Sequence, residues 1–365
     1  MPIDHFHNDT RYEPHTNGTF NLRYWFDTTY YKPGGPVIVL LSGETSGVGR
    51  LPFLQKGIVK QLSEATGGIG VIMEHRYYGT SFPFSDISTK NLRFLTTEQG
   101  LADCAYFATH IKFPGVEHDL TAPGTPWIVY GGSYPGAQAA FLRVVYPEIF
   151  WGAISSSGVT KAIYEYWEYF EPIRQFAPPD CVRATQWATN VVDNILLKAN
   201  NTGKIQTLKD VFGLGNITNY RDFANVLSYG IIGWQGTNWD PEDNDPGFFY
   251  YCQNMTTTPL YPGLESRRET VKDLILAGGY GENKPLENIF LNYIGYNNVT
   301  QVTSCAKRNR TQDECFIVNN STFYAQDDIK QTWRSWYYQV CKSPPCSFEY
   351  SSLLLSISLK LLKWL

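Results

Sequence analysis

Trp127-Ile128-Val129-Tyr130-Gly131-Gly132-Ser133-Tyr134-Pro135-Gly136-Ala137-Gln138-Ala139-Ala140 decides how the rest of the chain is read. The aromatic and β-branched run predicts a strand, the two glycines a tight turn, and the small-residue run after the serine a helix. Strand, glycine turn, serine and helix in that order make a nucleophile elbow. There a serine hydroxyl is exposed at the top of a sheet, and the following backbone N–H faces the oxyanion formed on the substrate. A Gly-Gly-Ser triplet alone is ordinary linker sequence; the flanking elements give it this reading. Ser133 is the candidate nucleophile and the Tyr134 N–H the candidate oxyanion donor.

Upstream, Pro36–Leu41 and Ile69–Met73 are continuous apolar runs, as expected of parallel strands buried on both faces. Helices are expected over Leu51–Ala65 and Thr97–Ile111, the second preceded by Thr96 and Gln99 at capping-box spacing. After the elbow helix, which runs to about Tyr146, Phe150–Ile154 reads as a further strand. Phe20, Tyr24, Trp25 and Phe26 suggest an edge strand or hairpin. This alternation argues for an α/β fold with helices around a parallel sheet through about residue 157. Ser42-Gly43-Glu44 follows the first buried strand, where ligand-binding loops of such sheets lie. Gly43 and Glu44 are therefore candidates for a second oxyanion loop, with Glu44 alternatively a partner for a substrate amine or a structural hydrogen-bonding group.

Beyond Val159 the alternation stops. Ile163–Phe170, Ala184–Leu197 and Arg268–Leu276 read as helices, and Gly233–Pro246 as a linker-like stretch. The domain expectation is residues 1–160 as the N-terminal part of the α/β domain, 161–341 as a helical insert, and 342–365 as an atypical tail. Ser351–Leu365 is too short and too basic to span a membrane. We read it as a low-complexity end from a misread or spliced transcript rather than a membrane-surface helix.

Composition narrows the function. The 365 residues carry a net charge of −4 and no long basic run, which argues against a nucleic-acid partner. The hydrophobic fraction of 43% and aromatic fraction of 15% suit packed surfaces and pockets. Seven scattered cysteines show no paired zinc-finger spacing. Their number is odd, leaving at least one thiol unpaired in a monomer, with Cys104 and Cys346 the candidates; the pairing of the others is open. Asn8, Asn17, Asn200, Asn216, Asn254, Asn298, Asn309, Asn319 and Asn320 each begin a glycosylation sequon, which favours an oxidising secretory compartment with disulfides. No apolar leader opens the sequence, which points to a start lying upstream. His5 and His7 alternate near His15, but no carboxylate or cysteine obviously frames them. They are read as a hydrogen-bonded surface pair, with no metal and no cofactor assigned.

Ile3-Asp4-His5-Phe6, Thr19–Trp25, Gly43-Glu44, Glu74-His75-Arg76-Tyr77-Tyr78-Gly79-Thr80-Ser81 and the elbow, in this order, resemble one family of serine peptidases. It includes lysosomal Pro-X carboxypeptidase, dipeptidyl-peptidase II, thymus-specific serine protease and secreted fungal prolyl endopeptidases. Trp333–Cys341 also resembles it. The resemblance implies an α/β-hydrolase carrying a helical insert over its site. It also implies cleavage beside proline through an acyl-enzyme, in lysosomes or outside the cell.

The histidines depart from that expectation. The six are His5, His7, His15, His75, His110 and His118, and none follows Ser133. The α/β-hydrolase order is Ser, then Asp or Glu, then His. Asp180, Asp193 and Asp328 follow the serine, but without the histidine none takes the triad role. His75 precedes the serine and is read as a buried structural histidine. The expectation is therefore a C-terminally truncated serine peptidase, without the last strands and helix of the fold and without activity of its own. The alternatives are a non-catalytic peptide-binding glycoprotein and an esterase or lipase of the same fold.

Overall fold

The apolar runs flanking the first helices lie side by side at the centre of a five-stranded sheet. The computed structural model describes residues 1–161, 167–198, 201–238, 245–258, 261–316 and 321–342. Its strands are β1 (Tyr24–Asp27), β2 (Val37–Leu41), β3 (Ile69–Met73), β4 (Trp127–Gly132) and β5 (Phe150–Ser156), in the spatial order β1-β3-β2-β4-β5. β2 pairs in parallel with both β3 and β4, placing Val39 opposite Val71 on one side and Val129 on the other. β5 is parallel to β4, and β1 closes the other edge antiparallel to β3. Every residue of β2 and β3 is buried, as a parallel sheet covered on both faces requires.

The covering layers are short amphipathic helices. α1 (Leu51–Gln55) and α2 (Ile58–Thr66) bring Leu54 and Val59 against Ile38, Leu40 and Ile72. α3 (Thr97–His110) and α4 (Tyr134–Val145) bring Leu101, Phe107 and Leu142 against Val37, Val39, Ile69 and Val71 on the other face. The single helix expected over 51–65 is thus two. The chain turns at Lys56-Gly57 so tightly that a Cβ on Gly57 would stand 2.9 Å from the Phe53 Cα. At the start of α3 the Thr96 hydroxyl accepts from the Gln99 N–H, as the spacing predicts. The Gln99 side chain does not reach back to complete the box; its amide donates to Asp4.

Contacts divide the described residues into two compact units, residues 1–161 with 321–342, and residues 167–316. The second unit is helical: α5 (Glu171–Phe176), α6 (Pro179–Asp193), α7 (Thr202–Val211), α8 (Tyr220–Ile232), α9 (Gly247–Thr256), α10 (Arg268–Ala277), α11 (Lys284–Asn297), α12 (Thr303–Lys307) and α13 (Gln312–Phe316). Phe223, Phe290 and Tyr293 pack edge-on around the Phe212 ring at its centre. Cys181–Cys252 joins α6 to α9, and Cys305–Cys315 joins α12 to α13. Cys104 is free and buried.

α14 (Ser321–Tyr324) and α15 (Thr332–Lys342) belong to the first unit, whereas the sequence reading grouped 161–341 together. Their connection is long-range: the Ile87 N–H donates to the Asp327 carbonyl, and Arg334 to the Ile87 carbonyl. Residues 343–365 of the atypical tail, Cys346 among them, and Asn200, Asn319 and Asn320 lie outside the described residues, as do residues 163–166 of the helix expected over Ile163–Phe170 and 239–244 of the linker-like stretch. Among those described, no helix is long and apolar enough to cross a membrane.

Candidate active site

Ser133 stands between β4 and α4 with φ 61° and ψ −126°, a conformation costing a non-glycine residue about 1–3 kcal/mol. The surrounding backbone holds it there. The Ser133 N–H donates to the Ser156 carbonyl at 3.0 Å, and the Ser133 carbonyl accepts from Ala137 at 3.1 Å. A Cβ on Gly131 would meet the Pro135 carbonyl oxygen at 2.0 Å, and one on Gly136 the Ser156 carbonyl oxygen at 2.8 Å. Glycine at these positions lets the first helical turn fold back onto β4 and β5. Pro135 sits inside that turn, where a missing N–H leaves no bond unmade. The result leaves Ser133 exposed, with the Tyr134 N–H in the first helical turn, where no preceding carbonyl of the helix can accept it.

The loop after β2 lies directly on this turn. Gly43 has φ 74°, and a Cβ there would stand 2.3 Å from Pro135 Cγ. Gly43 is thus brought to the elbow. Glu44 beside it is half-buried, and its Oε2 is shielded from solvent without a hydrogen-bond partner among the described residues. Burial holds the Glu44 carboxyl above the usual carboxylate range. The backbone N–H of Glu44 and the Arg50 charge only partly offset this burial. A carboxylate oxygen without a partner beside a strand-end loop is chemically suited to a cationic amine, because pairing would repay its desolvation.

The Glu74–Ser81 turn after β3 scaffolds this loop. Glu74 accepts from Arg23 Nη2 (2.7 Å), the Gly47 N–H (2.9 Å), the Thr80 N–H (3.0 Å) and Ser81 Oγ (2.8 Å). Burial would raise its pKa, but these donors outweigh it and hold the carboxyl below the usual range. Gly79 at φ 61° passes so close that a Cβ would meet Glu74 Oε1 at 2.0 Å. Arg76 is fully buried and reaches Asp103 with two nitrogens, at 2.6 and 2.7 Å. His75 is buried, with Nδ1 2.7 Å from the Arg76 carbonyl, and burial lowers its pKa to about 4. A neutral imidazole must then donate from Nδ1, because only a protonated nitrogen can bond a carbonyl.

α15 contributes a residue that sequence reasoning missed. Gln339 Nε2 donates to the Tyr134 hydroxyl at 2.9 Å, and its Oε1 accepts from the Tyr78 hydroxyl. Trp336 packs edge-on against the Tyr134 ring, 5.8 Å between centroids. A lone glutamine 205 residues from its partner leaves no local signal in the sequence; only the aromatic run around it hinted at a packed element.

The histidines are engaged elsewhere. His5 Nε2 lies 2.8 Å from Asp103 Oδ1, His15 Nδ1 lies 2.7 Å from Asp4 Oδ2, and His110 stacks on Tyr106. The reading of His5 and His7 as a surface pair does not hold: His5 turns inward to Asp103, whereas His7 is exposed beside the His15 ring. No histidine hydrogen-bonds Ser133 among the described residues.

A mostly parallel sheet covered by helices, with a strained serine between a central strand and its helix, defines an α/β-hydrolase-like protein. More narrowly, the chain belongs to the family described as Serine carboxypeptidase S28, whose profile matches residues 1–257. It is 56% identical over 344 residues to a "Probable extracellular serine carboxypeptidase" of Arthroderma benhamiae, covering 93% of this chain and 48% of that protein. It is 34% identical over 282 residues to "Serine protease vicPb" of Bipolaris victoriae, covering 74% of this chain and 50% of the relative. Over 145 residues it is 39% identical to human "Lysosomal Pro-X carboxypeptidase", covering 38% of this chain and 28% of that protein. The chain spans about half the length of the first two of these relatives.

Proposed function

We propose that Ser133 is the nucleophile of a serine peptidase acting beside proline, and that the 365-residue chain holds only part of its catalytic machinery. The observation carrying this reading is the Ser133 backbone, held at φ 61° on the turn from β4 to α4. The Ser133 Oγ attacks the scissile carbonyl as a base takes its proton. The carbonyl oxygen, now negative, is met by the Tyr134 N–H and by the loop at Gly43-Glu44. Collapse expels the amine, which takes up the proton, and leaves an acyl-serine that water then hydrolyses. Preference for proline is supported by the name of the human relative alone. Export from the cytoplasm is supported by the extracellular and lysosomal relatives, the two disulfides and the sequons, which we take as glycosylation sites.

The proton acceptor is what this sequence does not supply, since no histidine follows Ser133. Loss of one triad member leaves residual catalysis of about 10³–10⁴ over water. The 365-residue chain is therefore expected to release no proline-containing product above a Ser133→Ala control, and to resist fluorophosphonate labelling. A chimera that continues residues 1–341 with the segment that follows the corresponding region in a full-length relative, and that carries a histidine, is expected to label at Ser133. Labelling of the 365-residue chain would overturn its inactivity. Labelling of the chimera that survives Ser133→Ala would overturn the nucleophile.

A further inference from the structure

We infer that Asp4, His7 and His15 form a binding site for a divalent cation of the zinc class. Each offers one ligand atom, and the three atoms lie within 4.8 Å of one another. Asp4 is 1% exposed, and its carboxylate is already aimed. Oδ1 accepts from the Phe6 N–H and from Gln99 Nε2, each at 2.9 Å, leaving Oδ2 turned to His15 Nδ1 at 2.7 Å. Gln99 is itself fixed, its Oε1 accepting from the His5 N–H at 3.0 Å. Outer hydrogen bonds that orient a ligating carboxylate are a recurrent part of protein metal sites.

The donor set and access both fit. Two imidazoles and one carboxylate, with a water in the fourth position, suit tetrahedral zinc, whereas calcium and magnesium prefer oxygen alone. Ligands 2.0–2.1 Å from zinc in a tetrahedron lie about 3.3 Å apart. The ion takes the place of the proton between Asp4 Oδ2 and His15 Nδ1, that pair opens slightly, and the exposed His7 side chain closes onto it. His7 is open to solvent and its ring centroid stands 5.8 Å from that of His15, so an ion can enter without unfolding the segment. The histidines could not be paired with their carboxylate from spacing, because Asp4 is drawn into place by Gln99, 95 residues away. A bound ion would fasten the N-terminal segment to α3 through the Asp4–Gln99 bond.

The test uses the 365-residue chain, washed with chelator and titrated with Zn²⁺ by calorimetry, then with Co²⁺ followed by visible absorption. We expect one Zn²⁺ per chain, tetrahedral Co²⁺ bands, and a melting temperature that rises with Zn²⁺. His7→Ala, on an exposed side chain, is expected to weaken binding about tenfold or more and to abolish the thermal shift, as is His15→Ala. His118→Ala, on the exposed loop before β4, should change neither. No Zn²⁺ bound by the parent chain, or affinity unchanged in His7→Ala, would overturn the site.

Discussion

Gly131 and Gly132 are neighbours in sequence with different duties. A Cβ on Gly131 would collide with the backbone of the first helical turn, whereas on Gly132 the nearest atom is the Ser156 oxygen at 3.9 Å. Gly131→Ala must therefore push α4 off β4, and overpacking of this kind costs about 1–3 kcal/mol. Gly132→Ala should cost less than about 0.5 kcal/mol. Denaturant midpoints of the two variants measure the difference, and equal midpoints would refute the close packing of α4 on β4 at the elbow. At this scale the sequence was most informative where local chemistry decides the geometry. Ser133 and its glycines were readable because a strand-to-helix turn demands small residues. Gln339 and the Asp4–His15 pair were not, because each side chain is placed by a partner far along the chain.

Elements were legible in proportion to how completely they are buried. β2 and β3 have no polar residue to blur their pattern, and their bounds fall within a residue of those expected. α1 and α2 read as one helix in the sequence because a glycine break leaves the apolar spacing on both sides intact. β5 is the instructive case. Its apolar run reads as a further strand of the sheet, and it is the outermost strand described, with Trp151 64% and Ile154 37% exposed. Val144 and Val145 at the end of α4 are also exposed, at 77% and 57%. A parallel edge strand flanked by apolar side chains is a template for self-pairing. The 365-residue chain is accordingly expected to self-associate as its concentration rises. Trp151→Lys combined with Val144→Glu should suppress this while leaving the melting temperature nearly unchanged, since both side chains project into solvent. Light scattering decides it: a parent chain that stays monodisperse, or a double variant that scatters as strongly, would remove the edge as the cause.

At the scale of the molecule, the two units carry buried titratable groups of opposite sign. In the first unit, His75 has a folded pKa of about 4 against an unfolded value of about 6.5. Below pH 6.5 the unfolded chain takes up a proton that the folded chain refuses. Its contribution, up to about 3 kcal/mol, is thus present above pH 6.5 and lost as pH falls toward 4. Asp103 acts in the same direction: burial would raise its pKa, but Arg76 and His5 hold it below the usual range. In the helical unit, Asp193 is 2% exposed and its Oδ2 has no partner among the described residues. Burial pushes its pKa up to about 7, only partly offset by Lys198. Between pH 4 and 7 the folded form keeps a proton that the unfolded form releases. Its contribution, up to about 4 kcal/mol, is thus full below pH 4 and lost as pH rises to 7. Calorimetric scans between pH 4 and 7 should therefore show the transition of the α/β unit moving up with pH while that of the helical unit moves down. Asp193→Asn should flatten the second alone. If the units instead melt as one, the two slopes partly cancel, and Asp193→Asn should steepen the net rise with pH. A helical unit whose stability rises over this range, or an Asp193→Asn variant with the parent's slope, would mean that Asp193 is ionised in the folded protein.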